Sequence, residues 1–212
     1  MLYDFHVHTR EFSACSISSA VEMCTRAVEE KLAGIALTEH DVWWPQADIQ
    51  KLQDTFPGLT IIRGIEYSCP EGHFLVFLPN PENGNLLARC SVLDLIPLVH
   101  KHGGIVIWAH PFRFKATKPT WLARAQPDGM EVASSNMHPQ AETLARKVAA
   151  EKGIMTFCNS DAHHANLIGS YGNKLDRPLS CVENFITYVR NWVPRTSDKR
   201  VIPVGAAFPP EA

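Results

Sequence analysis

Five short apolar runs, each ending in a histidine or a carboxylate, constrain this chain more than any other feature. They occupy residues 2–9, 34–41, 59–66, 104–111 and 154–163. Short apolar runs rich in β-branched residues and bounded by turn signals read as buried strands. Polar residues gathered at the C-terminal end of such strands fit a parallel α/β sheet, the architecture in which sites are assembled at that end. The runs deliver His6, His8, His40, Glu66, His110, Asp161 and His163 to one rim.

In the first run, Leu2-Tyr3-Asp4-Phe5-His6-Val7-His8-Thr9, strand alternation puts Tyr3, Phe5 and Val7 on one face and Asp4, His6 and His8 on the other. A His-x-His pair projecting from a strand end can offer one metal ion two nitrogens. Two surface histidines are the alternative, and so short a motif does not decide between them alone. The later runs, by aiming at the same rim, favour the metal.

Helical signals lie between the runs. Ser19-Ala20-Val21-Glu22 has the spacing of a capping box, and Val21, Cys24, Val28 and Leu32 recur on one predicted face until Gly34. A short helix is expected near 47–54, one over 94–103 capped by Asp94 with Pro97 in its first turn, and one near 120–125. Another runs from Pro139 to Lys152, stopped by Gly153, and a last amphipathic one covers 182–192. Residues 67–72 are too few for a crossover helix, so the run beginning at His73 is predicted to pair with the Glu66 strand as a hairpin, which brings His73 near Glu66. A strand at 201–204 and a disordered tail at 206–212 complete the expectation. The result is a single α/β domain over residues 1–205, a parallel barrel somewhat short for the eight-fold form of about 250 residues.

A chain of 212 residues can bury a substantial core without disulfides. Its formal charge of −2 and pI near 6.5 carry no basic footprint, which leaves nucleic acid as a disfavoured partner. The cysteines are scattered without a Cys-x-x-Cys pair, as expected of reduced thiols. The start has no signal-peptide pattern and no run reaches membrane-span length, so a cytoplasmic protein without membrane contact is expected.

Eight candidate ligands, His6, His8, His40, Glu66, His73, His110, Asp161 and His163, exceed the need of one ion. A carboxylate such as Glu66 can bridge two ions, and paired ions suit hydrolysis of phosphate esters. Arg113 lies close enough along the chain to hold a phosphate oxygen, with a plain surface arginine as the alternative. A nitrogen-rich set with two carboxylates suits Zn, Mn or Fe better than Mg or Ca. Glu131 and Asp4 are candidates for outer hydrogen-bond partners of the ligands. His100 and His102 fall at a helix end, and His138 and His164 read as surface residues. Trp43 and Trp44 read as core anchors in preference to the wall of a pocket. No Gly-x-Ser-x-Gly, P-loop or dinucleotide motif competes.

Taken in order, Asp4-Phe5-His6-Val7-His8-Thr9, Leu37-Thr38-Glu39-His40-Asp41, Gly64-Ile65-Glu66, His73, Ala109-His110-Pro111 and Ser160-Asp161-Ala162-His163 resemble the successive motifs of the PHP family, the polymerase and histidinol phosphatase domains. The resemblance implies a distorted (β/α)7 TIM-like barrel and two or three divalent ions. By that likeness His6, His8, Glu66 and Asp161 hold one ion, Glu66 bridges to a second held by His73 and His110, and His40 and His163 serve a third, with Asp161 and His163 in the catalytic set. Many members carry an Asp or His soon after His-x-His, whereas residues 12–16 here offer only Cys15. A thiolate there would favour zinc; the alternative is a weak or vacant third site. The implied activity is hydrolysis of a small phosphorylated metabolite such as a nucleotide, a sugar phosphate or histidinol phosphate. Amidohydrolase-like chemistry and a non-catalytic metal-binding regulatory domain are the alternatives.

Overall fold

A computed structural model describes residues 1–81 and 89–193. The expected strand at 201–204 and the tail at 206–212 lie outside the described residues. In chain order the elements are β1 (Leu2–Val7), α1 (Ala20–Glu29), β2 (Gly34–His40), α2 (Gln46–Thr55), β3 (Thr60–Cys69), β4 (Gly72–Phe77), α3 (Val92–Lys101), β5 (Ile105–Trp108), β6 (Gly129–Ala133), α4 (Pro139–Lys152), β7 (Met155–Cys158), β8 (Asn173–Lys174) and α5 (Val182–Arg190). Short 3-10 turns at Thr120–Ala123 and Ala165–Leu167 join them. The sheet runs β7-β6-β5-β4-β3-β2-β1-β8. It curls towards closure: beyond β7, Ala162 bridges Val7 in parallel, and the His8 amide donates to the Ala162 carbonyl at 2.9 Å. This is the expected distorted TIM-like α/β barrel.

Inward-facing positions divide the barrel into layers. Ala36 on β2, Ile62 on β3, Leu75 and Phe77 on β4, Ile105 and Ile107 on β5 and Phe157 on β7 share one apolar cluster with Tyr3 and Phe5. α5 plugs the bottom: the Phe185 ring stacks on Phe5 at 3.9 Å and meets Phe77 edge-on at 5.0 Å. Further along, the same face becomes polar: Thr38 and then His40 follow Ala36 on β2, and Glu66 follows Ile62 and Gly64 on β3. A Cβ on Gly64 would lie 2.6 Å from the Phe77 ring, so only glycine lets β3 pass that ring on the way to Glu66. Outside, helices cover a second apolar layer that includes Ile35, Leu37 and Ile61 on one side and Val76, Val106 and Met130 on another.

The strict alternation expected in β1 does not hold. Tyr3 and Phe5 join the barrel interior, but Val7 packs outward with α1 and α2. The pairing register with β2 shifts between Asp4 and Val7, which marks a bulge. There the amides turn to side chains: Phe5 N donates to Asn159 Oδ1 at 3.1 Å and His6 N to Asp4 Oδ1 at 3.2 Å. A bulge re-aims the residues after it, so Phe5 feeds the core while His6 and His8 both reach the polar rim.

The β3–β4 hairpin is present, but β3 continues to Cys69, with Ser68 opposite His73. Because β4 runs antiparallel, its first residues, His73 among them, reach the same rim as the ends of the parallel strands. α1 has its capping box at Ser19 and Glu22, yet it buries Ala20, Met23, Cys24 and Ala27 and leaves Val21 and Val28 about half exposed. The buried face of α1 is therefore the one carrying Ala20, Met23 and Ala27, in place of the one valine hydrophobicity predicts. The helix also stops at Glu29, and Gly34 opens β2. α3 begins earlier than expected because Ser91 is its cap, with Glu71 accepting from Ser91 Oγ at 2.6 Å and Val92 N at 3.1 Å. Pro97 therefore sits inside the helix. His100 pairs with Asp128 at 2.8 Å, and His138 and His164 cap α4 and the second 3-10 turn. The six cysteines are free thiols. Among the described residues no helix is long and apolar enough to cross a membrane.

Candidate metal centre

All eight residues proposed as ligands meet at the rim. His6, His8, Glu66 and Asp161 are completely or almost completely buried. Each offers one atom to a group whose atoms lie within 4.8 Å of one another. His6 Nε2 and His8 Nε2 are 3.0 Å apart. Asp161 Oδ1 lies 3.2 Å from the first and 3.3 Å from the second. Glu66 stands in the middle. Its Oε2 faces His6, His8 and His40 at 3.4, 3.1 and 2.9 Å, while its Oε1 faces His73 at 2.9 Å and His110 at 2.8 Å. His40, Glu66 and His73 form a second compact group, and His8, His40 and His163 a third. His40, His73 and His163 are half-buried, so the cluster opens to solvent on their side.

The donor set fits bound cations. Glu131 Oε1 lies 3.0 Å from His6 Nδ1, and a carboxylate there takes the N–H, leaving the lone pair of a neutral His6 on Nε2. Ser13 Oγ lies 3.3 Å from His8 Nδ1 and donates its own proton to Glu39, which fixes His8 in the same sense. Two lone pairs thus point at each other beside Glu66 Oε2 and Asp161 Oδ1, both buried and without a hydrogen-bond partner. Close nitrogens surround those oxygens, but none offers a well-directed N–H. Buried acceptors are normally satisfied, and a positive ion at their common focus would satisfy all four at once.

The local titration reflects the same field. Burial alone would push His6 down, but the charges of Asp161, Glu131 and Glu66 raise it well above the usual histidine range. His8 is raised in the same way, against its burial, by the Asp161 and Glu66 carboxylates beside it. His73 is raised chiefly by its bond to Glu66. Burial would lift Glu66 and Asp161, yet the His6 charge and neighbouring imidazole contacts hold both below the usual carboxylate range. Protons and cations therefore compete for one place. His163 moves the other way, lowered by burial and by the His8 charge.

The backbone is strained around this rim. Asp41, His110, Phe112 and Asp161 have φ of 56°, 26°, 65° and 51°. A non-glycine residue held there costs of order 1–3 kcal/mol, and such residues concentrate at functional sites.

Residues 139–192 match a family model, PHP_C, described as PHP-associated. That match covers the segment from α4 to α5. Among solved structures, a putative metal-dependent phosphoesterase from Bifidobacterium adolescentis superposes with TM-score 0.64 at 14% identity, over 88% of this chain and 96% of that one. A two-domain protein containing a predicted PHP-like metal-dependent phosphoesterase, from Bacteroides vulgatus, gives TM-score 0.60 at 19% identity over 81% of this chain and 54% of that chain. An amidohydrolase from Chromobacterium violaceum with bound sulfate gives 0.64 at 16% identity over 88% and 96%. At these identities the likeness is one of fold. Comparison with curated proteins finds no match.

Several residues around the cluster carry no motif of their own. Glu131, anticipated from its strand end, also accepts from Asn159 Nδ2 at 2.7 Å and from the His110 amide at 2.6 Å. Asp4, expected to touch an imidazole, instead braces backbone: it accepts from the amides of His6 and Ser160 and from Ser160 Oγ. Burial, only partly offset by those bonds, lifts it to about 7. Glu39, Ser13, Asn136 and Asn159 were not anticipated. Glu39 is buried under donors from Thr9, Ser13 and Trp44 Nε1, the last at 2.8 Å, so Trp44 is both core anchor and buttress. A glutamate inside an apolar strand beside a histidine was the one available signal. The Arg113 guanidinium lies over the exposed Phe114 ring, 5.0 Å from its centroid. Cys15 is exposed and outside the compact ligand groups, and desolvation together with the charges of Glu66 and Asp161 pushes its thiol up.

Proposed function

We propose that this chain is a PHP-type protein that hydrolyses phosphate esters of small metabolites, of the nucleotide, sugar phosphate or histidinol phosphate kind, with two or three divalent ions of Zn, Mn or Fe. The observation that carries the reading is the division of Glu66, whose two oxygens face separate sets of imidazoles. In this reading His6, His8, Glu66 and Asp161 hold one ion, Glu66 with His73 and His110 a second, and His40 and His163, beside His8, a third. Bound divalent ions supply Lewis acidity, lowering the pKa of water and neutralising charge on the phosphoryl group. The protein's own part is orientation: Glu131 and Ser13 fix the imidazole tautomers. The half-buried His163 stands at the open side, where it can exchange a proton with a departing alcohol. Arg113 turned inward from Phe114 would bind a non-bridging oxygen.

A single domain spanning residues 1–205 is part of the proposal, as is a cytoplasmic setting with a small phosphorylated substrate as its partner. Metal analysis of protein purified without chelator, with aryl phosphate hydrolysis before and after metal removal and restoration, tests the reading. Two or three equivalents of metal and restorable activity are expected; occupied metal with no turnover across a broad phosphoester panel overturns it. The fold shared with the Chromobacterium violaceum amidohydrolase favours amide hydrolysis as the second reading. Turnover of amides with none of phosphoesters would establish it.

A further inference from the structure

The loop after β6, Ser134-Ser135-Asn136, matches none of the ligand motifs, yet it grips the segment carrying Asp161. Ser135 donates to the Ser160 carbonyl through both its hydroxyl, at 2.6 Å, and its amide, at 3.3 Å. Asn136 N donates to Ser134 Oγ at 3.3 Å, which sets the turn. From that turn the Asn136 side-chain amide donates to Asp161 Oδ2 at 2.7 Å and approaches the Asp161 carbonyl at 3.4 Å. Asp161 needs such a hold, because its φ of 51° is one that few side chains adopt freely.

The two Asp161 oxygens are thereby made different. Oδ2 is occupied by an amide, while Oδ1 is buried, lacks a hydrogen-bond partner and lies 3.2 and 3.3 Å from the His6 and His8 Nε2 atoms. Rotation of a free carboxylate would exchange them, and Oδ2 already stands 3.9 Å from His110 Nε2, a competing partner. Carboxamide nitrogen is only a donor, so Asn136 can hold a carboxylate oxygen without offering a ligand of its own in that direction.

We propose that Asn136 is a positioning residue that locks Asp161 to present Oδ1 alone to the metal cluster. The proposal rests on the reading of Asp161 as a metal ligand. Residues that orient ligands typically change metal affinity by about 10–100-fold when lost. The test uses the full-length protein as wild type, Asn136→Ala and Asn136→Asp, the last keeping the shape while replacing the donor by an acceptor. Zinc affinity is measured by competition with a chromophoric chelator, and Tm is measured with and without zinc. The expected result is a loss of zinc affinity of about 10–100-fold in both variants, with a smaller zinc-induced rise in Tm and a metal-free Tm near wild type. Wild-type affinity in both variants, or a lowered metal-free Tm with unchanged affinity, overturns the positioning role. A wild type that binds no zinc, manganese or iron overturns the metal reading of Asp161 itself and the positioning role with it. The two failures are thus told apart in the wild-type measurement.

Discussion

Replacing Glu131 with glutamine is the sharpest test of how the imidazoles are aimed, because the change keeps shape and removes only charge and one acceptor. The Glu131 carboxylate is fully buried and accepts three N–H groups: His6 Nδ1 and Asn159 Nδ2 at Oε1, and the His110 amide at Oε2. Glutamine has one acceptor oxygen. If that oxygen takes the Oε1 place, its NH2 confronts the His110 amide, donor against donor, at a site where the present contact is 2.6 Å. If it takes the Oε2 place, the NH2 meets His6 Nδ1, and His6 must move its proton to Nε2, the atom turned towards His8 and Asp161. The first arrangement leaves a buried donor unsatisfied, at about 1–3 kcal/mol. For a chain of this size that lowers Tm by about 2–12 °C. The second blocks a ligand atom, with a loss of metal affinity of about 10–100-fold, or about 1.4–2.7 kcal/mol. Thermal unfolding of the metal-free protein and chelator-competition titration read the two costs separately. A glutamine variant unchanged in both would refute the assignment of the His6 tautomer and of Glu131 as its keeper.

Other outcomes follow from the same geometry. Chelation should lower Tm: an ion present at about 100 times its Kd stabilises by about 2.7 kcal/mol, equivalent to about 5–11 °C at this chain length, and a differential scan with and without chelator measures it. Metal loading should weaken on acidification, because His6, His8 and His73 are raised above the ordinary 6.5. These imidazoles hold a proton more tightly than a free one does, so binding releases protons and affinity falls as pH drops, by roughly tenfold for each proton released per pH unit; titrations at several pH values check the slope. Met23→Ala should cost about 2–5 kcal/mol in urea unfolding, whereas Val21→Ala on the same helix should stay within about 0.5 kcal/mol. Equal costs would contradict the observed burial of Met23 and exposure of Val21. Arg113→Ala should raise KM for a phosphoester more than it lowers kcat, and steady-state kinetics would show the reverse if the arginine acts only on the transition state.

The amino-acid sequence by itself determined the kind of barrel and the chemistry of its rim. Strand runs announce themselves through local apolar patterning, and their ends name the candidate ligands, so the meeting of His6, His40, Glu66, His110 and Asp161 at one rim was legible one strand at a time. His73 was legible because the link to Glu66 is too short to hold a helix. What the sequence could not supply are relations between distant side chains. His6 meets Glu131 across 125 positions and the Phe5 amide meets Asn159 across 154. Such pairs leave no periodic trace. The bulge in β1 arises from those partners, and it alone explains how Phe5 can face the core while the adjacent His6 faces the site. α1 makes the same point in reverse, since Val21 and Val28 are hydrophobic but the face buried against the rest of the fold is that of Ala20, Met23 and Ala27. The tertiary structure decided which oxygen of Glu66 faces which imidazoles and which oxygen of Asp161 stays free. Orientation of a carboxylate depends on every donor around it, and those donors come from separate strands that only the closed barrel brings together.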